Sequence, residues 1–235
     1  MTDEAAYSFG HKPSSVDYMS IRTVERNARF ALPYLTAGLK VLDCGCGPGS
    51  MTLGLAGRVM PGSVVGIDLD IAQVLQAKSH AKAAGIDNLE FREANVCELP
   101  FGDGEFDFIF SHTLLCHVVE IDKAMQELWR VLRPGGCIAL RDIVGSMRIL
   151  SRDNARIILG DALVNRVIGQ SGGDPDRGAK LGALLHKAGF VRLRLSASYD
   201  VPLPEPATTI GRPICSNIPG SQKPASGTAG RAGLK

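Results

Sequence analysis

Short apolar runs alternate with helix-like segments over most of the chain, and this alternation constrains the fold more than any other feature. Buried strands are predicted at 40–44, 63–68, 88–93, 106–111 and 137–142. Helical periodicity marks the segments between several of them, at 50–60, 71–85 and 122–133. Such alternation builds right-handed βαβ units. We therefore predict an α/β fold with a doubly wound, mostly parallel sheet and helices on both faces.

The remaining segments suggest three regions. Residues 1–38 are expected to form a helical segment in front of the core. The core is predicted to span 39–201, with a helical insertion at 143–170 and an edge strand at 190–201. Residues 202–235 contain six of the chain's 13 prolines and little apolar periodicity. That composition buries too little surface to offset ordering entropy, so a disordered tail is predicted there.

Charge and hydropathy exclude several function classes. Residues 201–235 hold four basic residues and one acid, while the whole chain carries a net charge of +2. The rest of the chain is therefore close to neutral, and no nucleic-acid partner is expected. No apolar run of about 18 residues is present, so no membrane span is expected. The first residues contain acids and no apolar signal region, which indicates a cytoplasmic protein.

The six cysteines form no CxxC pair. Cys44 and Cys46 would point to opposite faces of a strand, which makes joint binding of one ion difficult. We therefore expect no metal site, and we interpret the cysteines as small buried thiols of a reducing compartment.

The stretch "VLDCGCGPGS" at 41–50 places three glycines directly after a predicted strand. Its spacing differs from the G-x-G-x-x-G of dinucleotide folds, since Ser50 stands where the third glycine is expected. An acid at the strand end, Asp43, would repel a pyrophosphate and attract a cation. Gly45 and Gly47 allow close approach of a ligand, and the following helix N-terminus suits a carboxylate. The amino-acid end of S-adenosylmethionine carries both groups.

A second acid, Asp68, ends the next predicted strand about 20 residues later. A carboxylate there can accept hydrogen bonds from both ribose hydroxyls of a nucleoside. The alternative is that Asp68 or Asp70 only caps the following helix, a role that Asp70 fits better.

Four motifs in this order resemble those of class I S-adenosylmethionine-dependent methyltransferases: "VLDCGCGPG", "VVGID", "EANVCELPFGDGEFDFIFSHTLLCHV" and "ELWRVLRPGG". The most similar branch methylates small molecules and is typified by enzymes of ubiquinone and menaquinone biosynthesis. The segments "RTVERNARFALPYL" and "GGDPDRGAKLGALLHKAGF" also resemble that branch. The resemblance covers about residues 16–200.

The resemblance implies how S-adenosylmethionine would be held. Asp43, Gly45 and Gly47 match the loop around the methionine moiety. Asp68 matches the acid that binds the ribose, and Leu69 beside it would pack on the adenine.

Further positions follow from the same resemblance. Asn95 stands where the family usually has an aspartate that accepts from the adenine amino group, and its amide retains an acceptor oxygen. Val96 would offer its backbone N–H to the ring. Ser111 and His112 would form the floor of the pocket. Arg22 matches the lid segment, where the cofactor carboxylate is its expected partner and a solvated helix residue is the alternative.

Methyl transfer needs a base only when the acceptor must lose a proton. The candidates are His117 and His112, which follow the fourth strand. A histidine at His117 is common in the branch, where packing or substrate contact is the alternative role.

The acceptor is predicted to be a small organic molecule. The sequence "FSHTLL" stands where enzymes that methylate nucleobase or glutamine nitrogens carry an NPPY-type motif. Apolar residues of the insertion suggest a hydrophobic substrate, although ordinary helix packing is the alternative; they are Ile149, Ile157, Ile158 and Leu163.

The C-terminus departs from the family. Its seventh strand has no convincing counterpart, because the only candidate, at 208–218, contains a proline that an interior strand would not tolerate. Three functions remain open. They are O- or C-methylation of a small lipophilic acceptor, methylation of a nitrogen or macromolecule, and cofactor binding without catalysis. The chain is expected to act as a monomer or homodimer.

Overall fold

The computed structural model describes residues 19–148 and 155–198. The predicted tail at 202–235 and the candidate strand at 208–218 lie outside these ranges. Five strands are present in the described chain, and every pair is parallel. They are β1 (Lys40–Cys44), β2 (Ser63–Asp68), β3 (Leu89–Glu93), β4 (Phe106–His112) and β5 (Leu132–Arg141). Their order across the sheet, β3-β2-β1-β4-β5, confirms the predicted parallel α/β fold.

Helices connect the strands and extend beyond them. They are α1 (Val24–Asn27), α2 (Ser50–Val59), α3 (Ile71–Ala84), α4 (Ile121–Val131), α5 (Ala155–Gln170) and α6 (Arg177–Lys187). Three short 3₁₀ turns lie at Leu32–Tyr34, Leu115–His117 and Gly145–Met147. Within the described part of the N-terminal region, helical structure occurs in short pieces rather than as one continuous helix.

Both faces of the sheet are covered, as the apolar strands predict. Consecutive side chains of a strand point to opposite faces. In β1, Val41 belongs to the same apolar cluster as Leu55 of α2, whereas Leu42 clusters with Leu128 of α4. All four side chains are fully buried. A strand buried on both faces is typical of parallel sheets, and it places the carboxyl ends of β1, β2 and β4 along one edge.

Local end signals explain the limits of the helices. Asp70 accepts a hydrogen bond from the backbone N–H of Ala72 at the start of α3. Gly85 ends that helix in the left-handed conformation, as predicted. Helix α4 stops at Val131, and β5 begins at once with an irregularity opposite Phe106 and Phe108. The fifth strand therefore starts earlier than the sequence suggested.

The predicted edge strand at 190–201 is wrong over 190–198, where the structure contains no strand. A strand needs a neighbour for its backbone hydrogen bonds, and in the described chain no strand lies beyond β5. Arg192 has a φ of 57°, and Val191 and Leu195 are 78% and 73% exposed. Only Phe190 of these residues is buried, where its ring meets Trp129 edge-on at 4.9 Å.

A pair of glycine substitutions tests how tightly the sheet packs. A Cβ at Gly66 in β2 would lie 2.7 Å from the Phe91 ring, so Gly66→Ala should destabilise the fold by about 1–3 kcal/mol. Gly57 is exposed on α2 with nothing within 4 Å of such a Cβ, so Gly57→Ala should stabilise it by about 0.5–1 kcal/mol. Chemical denaturation measures both effects. Equal effects of the two substitutions would contradict this packing.

Candidate functional site

The glycine loop lies between β1 and α2, at the carboxyl edge of the sheet. The backbone N–H groups of Gly45 and Cys46 donate to the carbonyl of Ile67 at 2.8 and 2.9 Å. Gly45 and Gly47 have φ angles of 74° and 52°, in the left-handed region that favours glycine. The loop is therefore fixed to β2 by its backbone, and the absence of a Cβ at Gly45 leaves room for the Leu114 side chain, 3.0 Å from where that Cβ would lie.

Asp68 holds this loop through its carboxylate. Its Oδ2 accepts the backbone N–H of Gly47 at 2.8 Å, and its Oδ1 accepts that of Asp70 at 3.1 Å. The cap of α3 is Asp70, so the alternative in which Asp68 caps the helix is wrong. An ionised carboxylate can accept about four hydrogen bonds, which leaves capacity for ligand hydroxyls.

Asp43 lies behind the loop rather than on its open surface. It is 2% exposed, and its Oδ2 accepts the hydroxyl hydrogen of Thr52 at 2.7 Å. Burial raises the pKa of Asp43 to about 7, and the nearby negative charge of Asp68 acts in the same direction. The two acids thus create a negative field at the loop, which a cationic ligand would relieve.

Two orphaned oxygens test whether the site suits the predicted cofactor. Among the described residues, the buried Gln73 Oε1 and Ser111 Oγ have no hydrogen-bond partner. A Cβ placed on Gly47 would lie 3.9 Å from Gln73 Oε1, which locates this oxygen beside the loop. Ser111 pairs with Cys44 in the sheet, directly before the loop. Acceptors beside the glycine loop fit a ligand with ammonium and hydroxyl groups, as S-adenosylmethionine has.

The residues predicted to hold the adenine lie at the ends of β2 and β3. Leu69 is 44% exposed, so its side chain is accessible to a ligand. Asn95 is exposed, and its Oδ1 accepts the backbone N–H of Cys97 at 2.9 Å. Val96 is buried beside it. One lone pair of Asn95 Oδ1 is therefore used in a local turn, and the second is available geometrically.

The described N-terminal segment reaches over the glycine loop. The carbonyl of Met19 accepts the Ser50 hydroxyl at 2.9 Å, and Met19 Sδ would lie 3.5 Å from a Cβ on Gly47. Arg22 is half-buried, with its Nη1 3.5 Å from His112 Nδ1. The alternative of Arg22 as a purely solvated helix residue does not fit this contact.

His112 is buried at the end of β4, and both of its ring nitrogens have partners. Arg141 Nη1 lies 2.7 Å from Nε2 and can only donate, so Nε2 accepts. In a neutral ring, Nδ1 then carries the hydrogen and donates to Thr113 Oγ1 at 2.9 Å. Arg22 Nη1, which is itself a donor, therefore lies in contact with Nδ1 but makes no hydrogen bond to it. The lone pair of His112 is thus occupied by Arg141, which argues against its predicted role as a base.

His117 lies in the 3₁₀ turn after β4 and is half-buried. Burial lowers the pKa of His117 to about 4. The imidazole is therefore neutral at pH 7, but it is a weak base there. A general base works best when its pKa is near the operating pH, so this environment favours contact with a substrate over proton removal.

Several polar residues at the site were not predicted from the sequence. Thr52 and Gln73 lie on helices, where nothing in the local pattern separates them from other polar residues. Arg141 ends β5, and a charged residue at the carboxyl end of a strand was a usable signal. Thr113 has a φ of 58°, a conformation that its residue type does not suggest.

The described cysteines are free thiols. Cys44, Cys46, Cys97 and Cys116 are buried, as predicted, whereas Cys137 is only half-buried. Cys215 lies outside the described residues. Burial raises the pKa of Cys44 and Cys46, so both thiols remain protonated. In the described ranges, no three His, Cys, Asp or Glu side chains form a group that could hold a metal ion. None of the helices there is both long and apolar enough to cross a bilayer.

The buried charge of Asp43 should appear in the pH dependence of stability. Its folded pKa lies above that of the unfolded chain, so the folded state binds more protons between about pH 4 and pH 7. Ionising Asp43 therefore costs stability as the pH rises through this window. Asp43→Asn removes that cost, and its melting temperature relative to wild type should rise from pH 5 to pH 8 by several degrees, roughly 1–3 kcal/mol.

The control is Asp103→Asn, because the Asp103 side chain is 82% exposed. Its difference from wild type should not change with pH in this way. A constant difference for Asp43→Asn across the range would contradict a buried charge at this position.

Comparison with known proteins shows which family of domains this chain resembles. A family described as a methyltransferase domain matches residues 42–140, which include the glycine loop and the four following strands. The probable methyltransferase ltbC of Aspergillus luteorubrus is 35% identical over 147 residues, or 59% of this chain and 52% of that protein. Botryococcene C-methyltransferase of Botryococcus braunii is 28% identical over 171 residues, or 68% and 44% of the two chains. The chain spans about half the length of the curated relatives it matches most strongly.

A solved structure shares the fold. The crystal structure of an S-adenosylmethionine-dependent methyltransferase from Aquifex aeolicus matches with a TM-score of 0.58. The match has 23% identity and covers 76% of this chain and 88% of that one. Residues 42–140 thus match a methyltransferase domain, and the chain shares the fold of this solved methyltransferase.

Proposed function

We propose that this chain transfers the methyl group of S-adenosylmethionine to an oxygen or carbon of a small lipophilic acceptor. The observation that carries the proposal is the 2.8 Å hydrogen bond from the Gly47 N–H to Asp68. This bond holds the Asp68 carboxylate, which would accept the ribose hydroxyls, beside the loop that would receive the amino-acid end of the cofactor. The match to a methyltransferase domain supports the cofactor, while the acceptor class rests on the arguments below.

Each predicted residue has a role in this proposal. Gly45 and Gly47 would line the methionine moiety, and Asp43 would attract its ammonium group from behind the loop. Asp68 would accept the ribose hydroxyls. Ser111 Oγ at the floor of the pocket would offer a buried acceptor, and Arg22 would approach the cofactor carboxylate from the N-terminal segment. The adenine would lie between Leu69 and the backbone of Val96, with Asn95 Oδ1 accepting from its amino group.

The chain's main task is then to position the acceptor and exclude water. S-adenosylmethionine supplies, when bound, a methyl group already activated by the sulfonium. Transfer of such a group depends on alignment of the nucleophile, which is worth several kcal/mol in well-oriented reactions. The segment around Met19, which contacts the glycine loop, is placed to exclude water from it.

Apolar side chains near the carboxyl edge favour a lipophilic acceptor. Ile158 and Leu163 of α5 are 41% and 50% exposed, so they are not fully used in core packing, contrary to the alternative interpretation. Ile149 and the side chain of Ile157 lie outside the description. The named activity of the relative from Botryococcus braunii, C-methylation of botryococcene, points to the same class. A quinone-like ring or another natural product is thus the proposed acceptor.

The catalytic assignments follow from the histidine environments. His117 would contact the acceptor as a neutral imidazole, and it is the better candidate if a proton must be removed. His112 would act through Arg141 to shape the pocket. An acceptor whose nucleophilic atom carries no acidic proton would need neither as a base. Membership of the quinone-biosynthesis branch, a cytoplasmic location and a monomer or homodimer stay predictions.

Calorimetric titration with S-adenosylhomocysteine, and with NAD as a negative control, tests cofactor binding. Asp68→Ala should weaken binding of S-adenosylhomocysteine at least about tenfold, since both the ribose contact and the Gly47 hydrogen bond are lost. Asp70→Ala is the matched control, because Asp70 caps α3 without touching the loop. Its affinity should stay within about twofold of wild type.

The same titration has outcomes that would reject the proposal. A folded wild-type protein that does not bind S-adenosylhomocysteine, or that binds NAD equally well, would contradict it. Binding without methyl transfer to phenol, carbon-nucleophile or amine acceptors would favour the non-catalytic alternative. Transfer to amines alone would favour the nitrogen-methylating one.

A further inference from the structure

The segment Gly173–Gly178, "GDPDRG", contacts two loops at the carboxyl edge of the sheet, and the proposed function does not yet explain it. One loop is the turn at 115–118 that follows β4 and contains His117. The other is the loop at 142–145 that follows β5. We refer to Gly173–Gly178 as the clamp segment.

Arg177 joins the clamp segment to the turn at 115–118. Its Nε donates to the carbonyl of Leu115 and its Nη2 to the carbonyl of Val118, both at 3.1 Å. The side chain is 7% exposed, and its Nη1 lies 3.6 Å from Asp174 Oδ2. A guanidinium group is planar, so its two donors can hold two carbonyl groups in a fixed relative position. The two carbonyls held here flank Cys116 and His117. The turn is therefore fastened at both ends by one side chain.

The backbone of the clamp segment reinforces this contact. Asp174 N–H donates to the carbonyl of Cys116 at 2.8 Å, between the two carbonyls that Arg177 binds. A Cβ at Gly173 would lie only 2.3 Å from the same Cys116 oxygen. The segment and the turn are thus in direct backbone contact.

The same segment fixes the loop after β5. Gly178 N–H donates to the carbonyl of Ile143, and Gly145 N–H donates to that of Pro175, both at 2.8 Å. Asp142 links the two loops, because its Oδ2 accepts the backbone N–H of Cys116 at 3.0 Å. The clamp segment therefore fixes the positions of both loops.

We infer that Arg177 is a positioning residue that fixes His117 and the turn around it as the acceptor-side wall of the site. This inference rests on the proposed function, because the turn is an acceptor wall only if methyl transfer occurs there. Arg177 acts through the carbonyls of Leu115 and Val118, and it touches neither the glycine loop nor Asp68. Its loss should therefore affect the acceptor side and spare cofactor binding.

The imidazole of His117 reports the turn's position without any acceptor. In protein labelled with ¹³C at histidine Cε1, the signal of His117 is assigned by comparison with His117→Gln. The wild-type ring should remain neutral to about pH 4. In Arg177→Met the turn is no longer held in place, and the imidazole of His117 becomes exposed to water. The midpoint of the His117 titration should therefore move upward by at least about one pH unit. Arg177→Lys keeps the positive charge but cannot donate to both carbonyls in the same geometry. The His117 titration midpoint of this variant should lie between those of wild type and Arg177→Met.

Arg130→Met is the matched control. Arg130 also donates to two backbone carbonyls, those of Leu99 and Phe101, and pairs with Glu127. These contacts lie before the start of β4, in the loop that precedes the strand. The control should lower the melting temperature to a comparable degree and leave the His117 midpoint unchanged. A merely structural role for Arg177 would give the same result in both variants.

The outcomes separate this inference from the proposed function. An unchanged His117 midpoint in folded Arg177→Met overturns the positioning role. If Arg177→Met does not fold, an unchanged midpoint in Arg177→Lys overturns it equally. S-adenosylhomocysteine affinity should stay within about twofold in the arginine variants, and a parallel loss of affinity would also contradict the inference. Failure of wild type to bind S-adenosylhomocysteine rejects the proposed function, whereas the histidine measurement needs no ligand.

Discussion

The site depends on one hydrogen bond, from the Gly47 N–H to the carboxylate of Asp68. It joins the end of β2 to a loop that belongs to β1, so it closes the carboxyl edge across neighbouring strands. The loop is shaped to donate this bond by its glycines, which adopt left-handed conformations. Charge-assisted bonds of this kind are stronger than neutral ones. The same carboxylate thus positions the loop and faces the ligand.

The placement of negative charge follows from this arrangement. Asp43 is buried behind the loop at a cost that raises its pKa to about 7, and Asp68 lies in front of it. Strongly shifted pKa values of this kind are found preferentially at functional sites. A cation bound at the loop would offset part of that cost, which links the stability of the free protein to the chemistry of its ligand. The acceptor side is built separately, by Arg177 and the turn that carries His117.

The strands of the sheet were predictable from the sequence, because a strand buried on both faces consists mainly of apolar residues, as in "KVLDC" and "FDFIF". The capping roles of Asp70 and Gly85 in α3 were also predictable, since helix caps depend on local residue type. Contacts across the chain were not predictable. The Arg141 contact that occupies the His112 lone pair and the two carbonyls bound by Arg177 depend on tertiary placement. The predicted strand at 190–201 was wrong over 190–198 for a similar reason. Its alternating pattern does not reveal whether a neighbouring strand exists.

The most direct measurement is an amide NMR titration of the ¹⁵N-labelled protein with S-adenosylhomocysteine. The account predicts that the largest shifts occur at Gly45, Gly47 and the backbone around Asp68, and that NAD leaves these amides unmoved. Shifts confined to other parts of the chain would show that the ligand binds elsewhere. Equal shifts with NAD would show a general nucleotide site, and either result would contradict the assignment of the glycine loop.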